Sequence, residues 1–196
     1  MCMVMLFHQL LMSPFPIVTI LSVLTIAGQL LSVFLIVLLL TRQNVLPRLR
    51  GWISSNGLLL MLIVTLTAMT GSLFFSDIAG WTPCKLCWFQ RIFMYPQVLL
   101  LGLAIWFRDK GIARYIILLS LLGLVIAAFH YGEQVMAALN PIEIDPDIPC
   151  DTSGTSCRST PFFHFGYITI PMMALTAFIM NIVGSLFVLR AQKPQL

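Results

Sequence analysis

Charge is scarce in this chain. Only 9% of its 196 residues are Asp, Glu, Lys or Arg, against roughly a quarter in ordinary globular proteins. That deficit excludes a soluble domain of this size and makes a helical membrane bundle the default class. Acids are the rarer sign, with seven Asp and Glu against eleven Lys and Arg. The net charge of +4 does not mark a nucleic-acid binder, because the cations sit at the ends of apolar runs rather than in one patch. No basic residue precedes Arg42, and no small-x-small cleavage site follows the first apolar run. A secretory leader is therefore not expected, and that run is read as a retained helix. Internal repeats and low-complexity linkers are also lacking. None of the five cysteines falls in the middle of an apolar run.

What is present is apolar: 59% of the residues are hydrophobic. They form five runs, at 17–40, 57–75, 89–107, 112–131 and 167–189, each close to the ~20 residues that span a hydrocarbon core. The class expected is an all-α integral membrane protein. If all five runs span, Arg42, Arg48, Arg50, Arg108, Lys110, Arg114, Arg190 and Lys193 share one side, and only Lys85, Arg91 and Arg158 the other. The positive-inside rule puts the first group in the cytoplasm. The N-terminus and the loops at 76–88 and 132–166 then face outward. Trp52, Trp106 and Tyr115 fall near the inner interface, and Trp81, Trp88, Tyr131 and Tyr167 near the outer one, as an aromatic belt would. The 132–166 loop is rich in proline turns, and its length points to a functional or disordered segment.

Four cysteines lie in the two outer loops as close pairs, Cys84 with Cys87 and Cys150 with Cys157. The outside of a bacterial-type membrane is oxidising, so pairs there can be disulfides. A Cys-x-x-Cys ring is too small to staple a fold well, but it suits a couple that carries two electrons. Pro83 precedes Cys84, and the apolar helix is expected to begin just after Cys87. The pair then sits at a helix N-terminus, where free N–H groups and the dipole stabilise a thiolate. Arg91, four residues beyond Cys87, falls on the same face. It reads either as part of the redox site or as a cation reaching for headgroups. Cys150 and Cys157 flank a polar, glycine-containing stretch open to a soluble partner, or they form a structural disulfide. A four-thiolate zinc site built from Cys84, Cys87, Cys150 and Cys157 is a further reading. His130 is expected near the outer interface, as a plain membrane-edge residue or as a hydrogen-bond donor or proton relay to a bound redox ligand. Cys2, His8 and His164 have no assignment.

Several segments together carry a resemblance. They are Pro83-Cys84-Lys85-Leu86-Cys87-Trp88-Phe89-Gln90-Arg91-Ile92-Phe93-Met94-Tyr95-Pro96, then His130-Tyr131, then Cys150 and Cys157, then Phe165-Gly166-Tyr167-Ile168-Thr169-Ile170-Pro171-Met172-Met173-Ala174-Leu175. Over about residues 57–190 the chain resembles the disulfide-bond formation protein B (DsbB) family, particularly its BdbC-like branch.

The resemblance implies a four-helix bundle at 57–190, preceded by an extra N-terminal transmembrane helix and cytoplasmic connection at 1–56 and followed by a cytoplasmic tail at 191–196. It implies an enzyme of the plasma (inner) membrane, its redox loops on the periplasmic or extracytoplasmic side. Such an enzyme takes electrons from a soluble thioredoxin-fold thiol oxidase (DsbA-like) and passes them to a membrane quinone, ubiquinone or menaquinone. Cys84 and Cys87 would be the membrane-proximal pair, with Cys87 meeting the quinone and Arg91 polarising its carbonyl. Cys150 and Cys157 would be the shuttle pair, Cys150 forming the mixed disulfide with the partner. His130 matches a family region near the quinone. The extra helix and the short Cys150–Cys157 spacing depart from the usual family plan. Rival readings are a membrane scaffold or zinc-binding protein with structural cysteines, and an enzyme like vitamin K epoxide reductase, whose Cys-x-x-Cys comes late in the bundle.

Overall fold

Prolines mark where the first two helices start. Pro14 opens α1 (Pro14–Leu40) and Pro47 opens α2 (Pro47–Leu73), positions where a missing N–H costs no helical hydrogen bond. The computed structural model describes residues 14–41, 46–139 and 156–192. α2 runs on through a π turn, Phe74–Ile78. Then come α3 (Lys85–Phe107), a 3-10 turn at Lys110–Ile112, α4 (Ala113–Leu139) and α5 (Ile170–Gln192). Five helices are long and apolar enough to cross a membrane, and the chain is an all-α, multi-pass membrane protein.

The helices differ from the apolar runs at their ends. α2 begins at Pro47, well before residue 57, because the helix continues through Arg48 and Arg50 where the chain leaves the apolar layer. α4 runs to Leu139, about two turns past the expected end at Tyr131. Glu133, Gln134, Met136, Ala137 and Ala138 are good helix formers, and it was Gly132 and the polar Glu133 and Gln134 that ended the apolar run. Gly132 is therefore helical. α5 starts at Ile170 rather than Tyr167, because His164 and Ile168 pair their backbones around a tight turn. Phe165 (φ 50°) and Gly166 (φ 80°) take left-handed conformations there. α3 starts at Lys85 rather than after Cys87, which brings the second cysteine inside the first helical turn.

α2, α3, α4 and α5 form a ring, each packed on the next, and α1 packs from outside on α5. Leu58, Met61, Leu101, Ile116 and Val188 fill one end of the ring, and Met94, Ala127, Ala177 and Phe178 the other. Between them lies a buried polar cluster. Asn181 Nδ2 and Ser120 Oγ donate to Gln97 Oε1 at 2.9 and 3.2 Å, and Gln97 Nε2 donates to the Phe93 carbonyl at 2.9 Å. Pro96 leaves this turn of α3 without one backbone donor, so the Gln97 amide adds a bond where the ladder is weak. Interhelical polar bonds of this kind hold membrane helices in register.

Helix approach depends on a glycine at one point in particular. A Cβ added to Gly123 would stand 2.2 Å from Cζ of the fully buried Phe178 ring. Gly123→Leu is therefore expected to separate α4 from α5, at about 1–3 kcal/mol or more. Unfolding of the purified protein in detergent, monitored by circular dichroism, checks this. An unchanged midpoint would mean that the contact is not tight.

Candidate redox site

The C-terminal ends of α2 and α4 and the N-terminal end of α3 converge on the Cys-x-x-Cys. Cys84 is the N-cap of α3 in an extended conformation, and Cys87 follows in the first turn. Their sulfurs are 3.6 Å apart, with Cys84 donating its S–H to Cys87. Cys84 is buried. That donated bond, followed by burial, raises the Cys84 thiol from an ordinary 9.0 to about 11. Cys84 thus keeps its proton at neutral pH. Any negative charge on the pair forms on Cys87, beside the unpaired N–H groups that open α3.

His130 lies 1% exposed on the Cys84 side. Its Nε2 is 3.6 Å from Cys84 Sγ and 3.1 Å from the Cys157 carbonyl, and its Nδ1 is 2.9 Å from Gln90 Nε2. The Gln90 amide donates to Nδ1, so the ring's own N–H is on Nε2 and points at the Cys157 carbonyl. Gln134, one turn beyond His130, is buried beside the same nitrogen at 3.5 Å and donates to the Ser159 carbonyl at 3.4 Å. The backbone of the buried Cys157 is thereby held against His130, beside the pair. Arg158 bonds Glu133 at 2.8 Å and ties the same stretch to α4, although so exposed an ion pair contributes little energy. Cys150, Cys2 and His8 lie outside the described residues.

Arg91 is on the other side. Its Nε and Nη2 donate to Ser72 Oγ and to the Ser72 carbonyl, both at 2.9 Å, and the guanidinium stands 5.2 Å from the Trp88 ring centre. This fork fixes the cation against the end of α2. Two cavities meet here. One of about 90 Å³ touches Cys84, Cys87, His130 and Gln134 under the 156–161 stretch. The other, of about 350 Å³, is mainly apolar and lies between α1, α2, α3 and α5. Cys87, Arg91, Ser72 and Phe75 line both. His130 lines only the small one. Phe75, Trp81 and Phe162 pack together beside the small cavity by ring contacts of 5.2–6.1 Å.

The sulfurs of Cys84 and Cys87 and one ring nitrogen of His130 lie within 4.8 Å of one another. When both sulfurs are thiolates, that donor set suits a soft ion such as Zn²⁺. A disulfide between the two withdraws both donors. Three residues of the site escaped the sequence reading. Gln90 stood inside the quoted motif, and Gln134 follows His130 by one turn, so helical spacing offered a signal for both. Nothing near Ser72 distinguished it from other serines.

Comparison with known proteins gives the family. The family model for "Disulfide bond formation protein DsbB" matches residues 54–188. The chain belongs to the DsbB family. "Disulfide bond formation protein C" of Bacillus subtilis (strain 168) is 43% identical over 121 residues, 62% of this chain and 83% of that protein. A "Probable disulfide formation protein" of Oceanobacillus iheyensis is 35% identical over 141 residues, 71% of this chain and 92% of its own length. One of the same name from Metapseudomonas resinovorans is 34% identical over 139 residues, 71% and 93% of the two chains. No solved structure matches significantly. As a DsbB-family member the protein is a membrane protein of disulfide bond formation. The match begins at residue 54, so α1 lies outside it.

Proposed function

We propose that this protein reoxidises a soluble, extracytoplasmic thioredoxin-fold dithiol oxidase and passes the two electrons to a membrane quinone. The observation that carries the reading is the position of Cys87. It lines both the small cavity that reaches His130 under the Cys157 stretch and the larger apolar cavity within the bundle. The larger cavity suits a quinone in chemistry: a mostly apolar wall, with a thiol and a fixed guanidinium at one end. Its 350 Å³ is in the range of small-ligand sites. An outward-facing redox end is supported by Arg48, Arg50, Arg108, Lys110, Arg114 and Arg190 at or beyond the opposite helix ends.

The chemistry follows from the two sulfurs. A thiolate of the partner attacks the Cys150–Cys157 disulfide, and its second thiol closes the partner's own disulfide, leaving Cys150 and Cys157 reduced. A thiolate of that shuttle pair then attacks the Cys84–Cys87 disulfide at Cys84. The better leaving sulfur is the one that holds a negative charge, and that is Cys87, since Cys84 binds its proton up to about pH 11. The remaining shuttle thiol restores Cys150–Cys157 and releases Cys84 as a thiol. His130, placed against both Cys84 and the Cys157 carbonyl, orients this exchange. Bound quinone supplies a two-electron, two-proton acceptor. Cys87 would present the thiolate to it, Arg91 would stabilise negative charge beside that sulfur, and Cys84 would give up its proton as the Cys84–Cys87 bond re-forms, the second proton coming from water, which took up the one lost when Cys87 left as a thiolate.

The test is purified protein supplied with a reduced thioredoxin-fold dithiol and a soluble quinone, followed by quinone absorbance. Cys157→Ser should trap the partner on Cys150 as a mixed disulfide, visible on non-reducing gels. Absence of quinone reduction by the wild type overturns the acceptor. Absence of the adduct overturns the shuttle.

A further inference from the structure

The helix outside the family match supplies a wall of the larger cavity. Leu21, Leu24, Thr25, Gly28 and Leu31, all of α1, line it opposite Cys87 and Arg91. α1 is also anchored. Arg50 donates to the Thr41 carbonyl and hydroxyl at 3.1 and 3.0 Å and to the Leu38 carbonyl, and Arg190 donates to the Leu39 carbonyl at 2.5 Å. Two cations thus cap the negative end of the helix. Nearer its start, Gln29 accepts from Tyr167 Oη at 2.9 Å and donates to Thr176 at 3.3 Å. Leu38 and Leu39 pack with Ile53, Val183 and Phe187. The fit is close: a Cβ on Gly28 would stand 2.9 Å from Met180 Sδ, and one on Gly71 3.1 Å from Leu21 Cδ1.

Without α1, the face of α2 and α5 that carries Ile63, Val64, Thr67 and Met173 would be a groove open to lipid. With α1 in place it is a cavity of about 350 Å³, near the lower limit for small-ligand sites. A headgroup and the first part of a chain fill that volume. A chain that starts beside Cys87 and Arg91 meets the α1 leucines within the same cavity.

We propose that α1 is the tail-binding wall of the acceptor site. It makes a subsite for the proximal isoprene units of a prenylated quinone and gives this protein a preference for tailed over tailless acceptors. The proposal rests on the quinone reading above and adds the selection by tail. Its apolar leucines gain nothing from leaving water, since the competing solvent is lipid. Their contribution is packing against a chain that lipid would otherwise surround.

The experiment is equilibrium binding to the full-length reduced protein in detergent, read by quenching of tryptophan fluorescence. Trp88 stands beside Arg91 and reports the headgroup end. A long-tailed ubiquinone or menaquinone and its tailless parent are titrated into wild type and into Leu21→Ala/Leu24→Ala/Leu31→Ala. The triple variant should bind the tailed quinone about tenfold more weakly, or about 1.4 kcal/mol, and the tailless one unchanged. Leu31→Ala alone should show the same tail-dependent loss at smaller size, and it serves if the triple variant does not fold. Equal weakening of both quinones overturns the proposal, because α1 would then support the headgroup end. No change for either overturns it too. Failure of the wild type to bind any quinone withdraws the acceptor reading and this proposal with it.

Discussion

Cys87→Ser is expected to abolish acceptor reduction, by about three decades or more, equivalent to at least about 4 kcal/mol of barrier. A serine hydroxyl neither forms the disulfide nor carries the charge that Cys87 takes from the S–H···S contact with Cys84 at 3.6 Å. Cys84→Ser should be as inactive in turnover, since the pair cannot close. The two variants separate in their thiol chemistry. With Cys87 removed, the remaining thiol is buried and, in the intact pair, holds its proton up to about pH 11. In reduced wild type a membrane-permeant maleimide should therefore modify Cys87 well before Cys84 at pH 7–8, where Cys84 keeps its proton. Peptide mapping by mass spectrometry reads the order. Equal modification at pH 8 would show that the proton is not held on Cys84, and the ground for attack at that sulfur would be gone.

The class of fold could be read from the chain because lipid constrains it so strongly. Backbone groups in hydrocarbon must be paired, so five apolar runs of spanning length become five helices. Helix ends were less legible. Polar residues continue a helix as readily as apolar ones once it nears the edge of the hydrocarbon, as Glu133 and Gln134 do in α4. The candidate site divides in the same way. Cys84, Cys87 and Arg91 declare themselves by local spacing along one helix. The partners that set their chemistry come from other helices: His130 meets Gln90 from 40 residues away and the Cys157 carbonyl from 27. Ser72 reaches Arg91 across 19. Spacing placed Arg91 on the face of Cys87, but only packing puts His130 at the Cys84 end, on the small cavity rather than the large one.

Arg91→Ala is expected to slow the quinone step by about one to two decades while leaving the described cysteines able to exchange. Removing one charge-assisted hydrogen bond to developing negative charge costs about 1.5–3 kcal/mol, which corresponds to that range of rate. The side chain has a second role that must be separated. Its Nε and Nη2 bridge α3 to Ser72 of α2, so its loss also loosens the wall. Ser72→Ala removes the hydroxyl acceptor but keeps the carbonyl and the cation, and should change the rate far less than Arg91→Ala. Arg91→Lys keeps a charge but loses the planar fork that reaches both Ser72 oxygens, and should fall between the two. The measurement is quinone reduction over a range of quinone concentrations with excess reduced partner, alongside a thiol count before and after partner oxidation. Arg91→Ala kinetics equal to wild type would show that this guanidinium only ties α3 to α2, and the acceptor end of the site would have to be placed elsewhere.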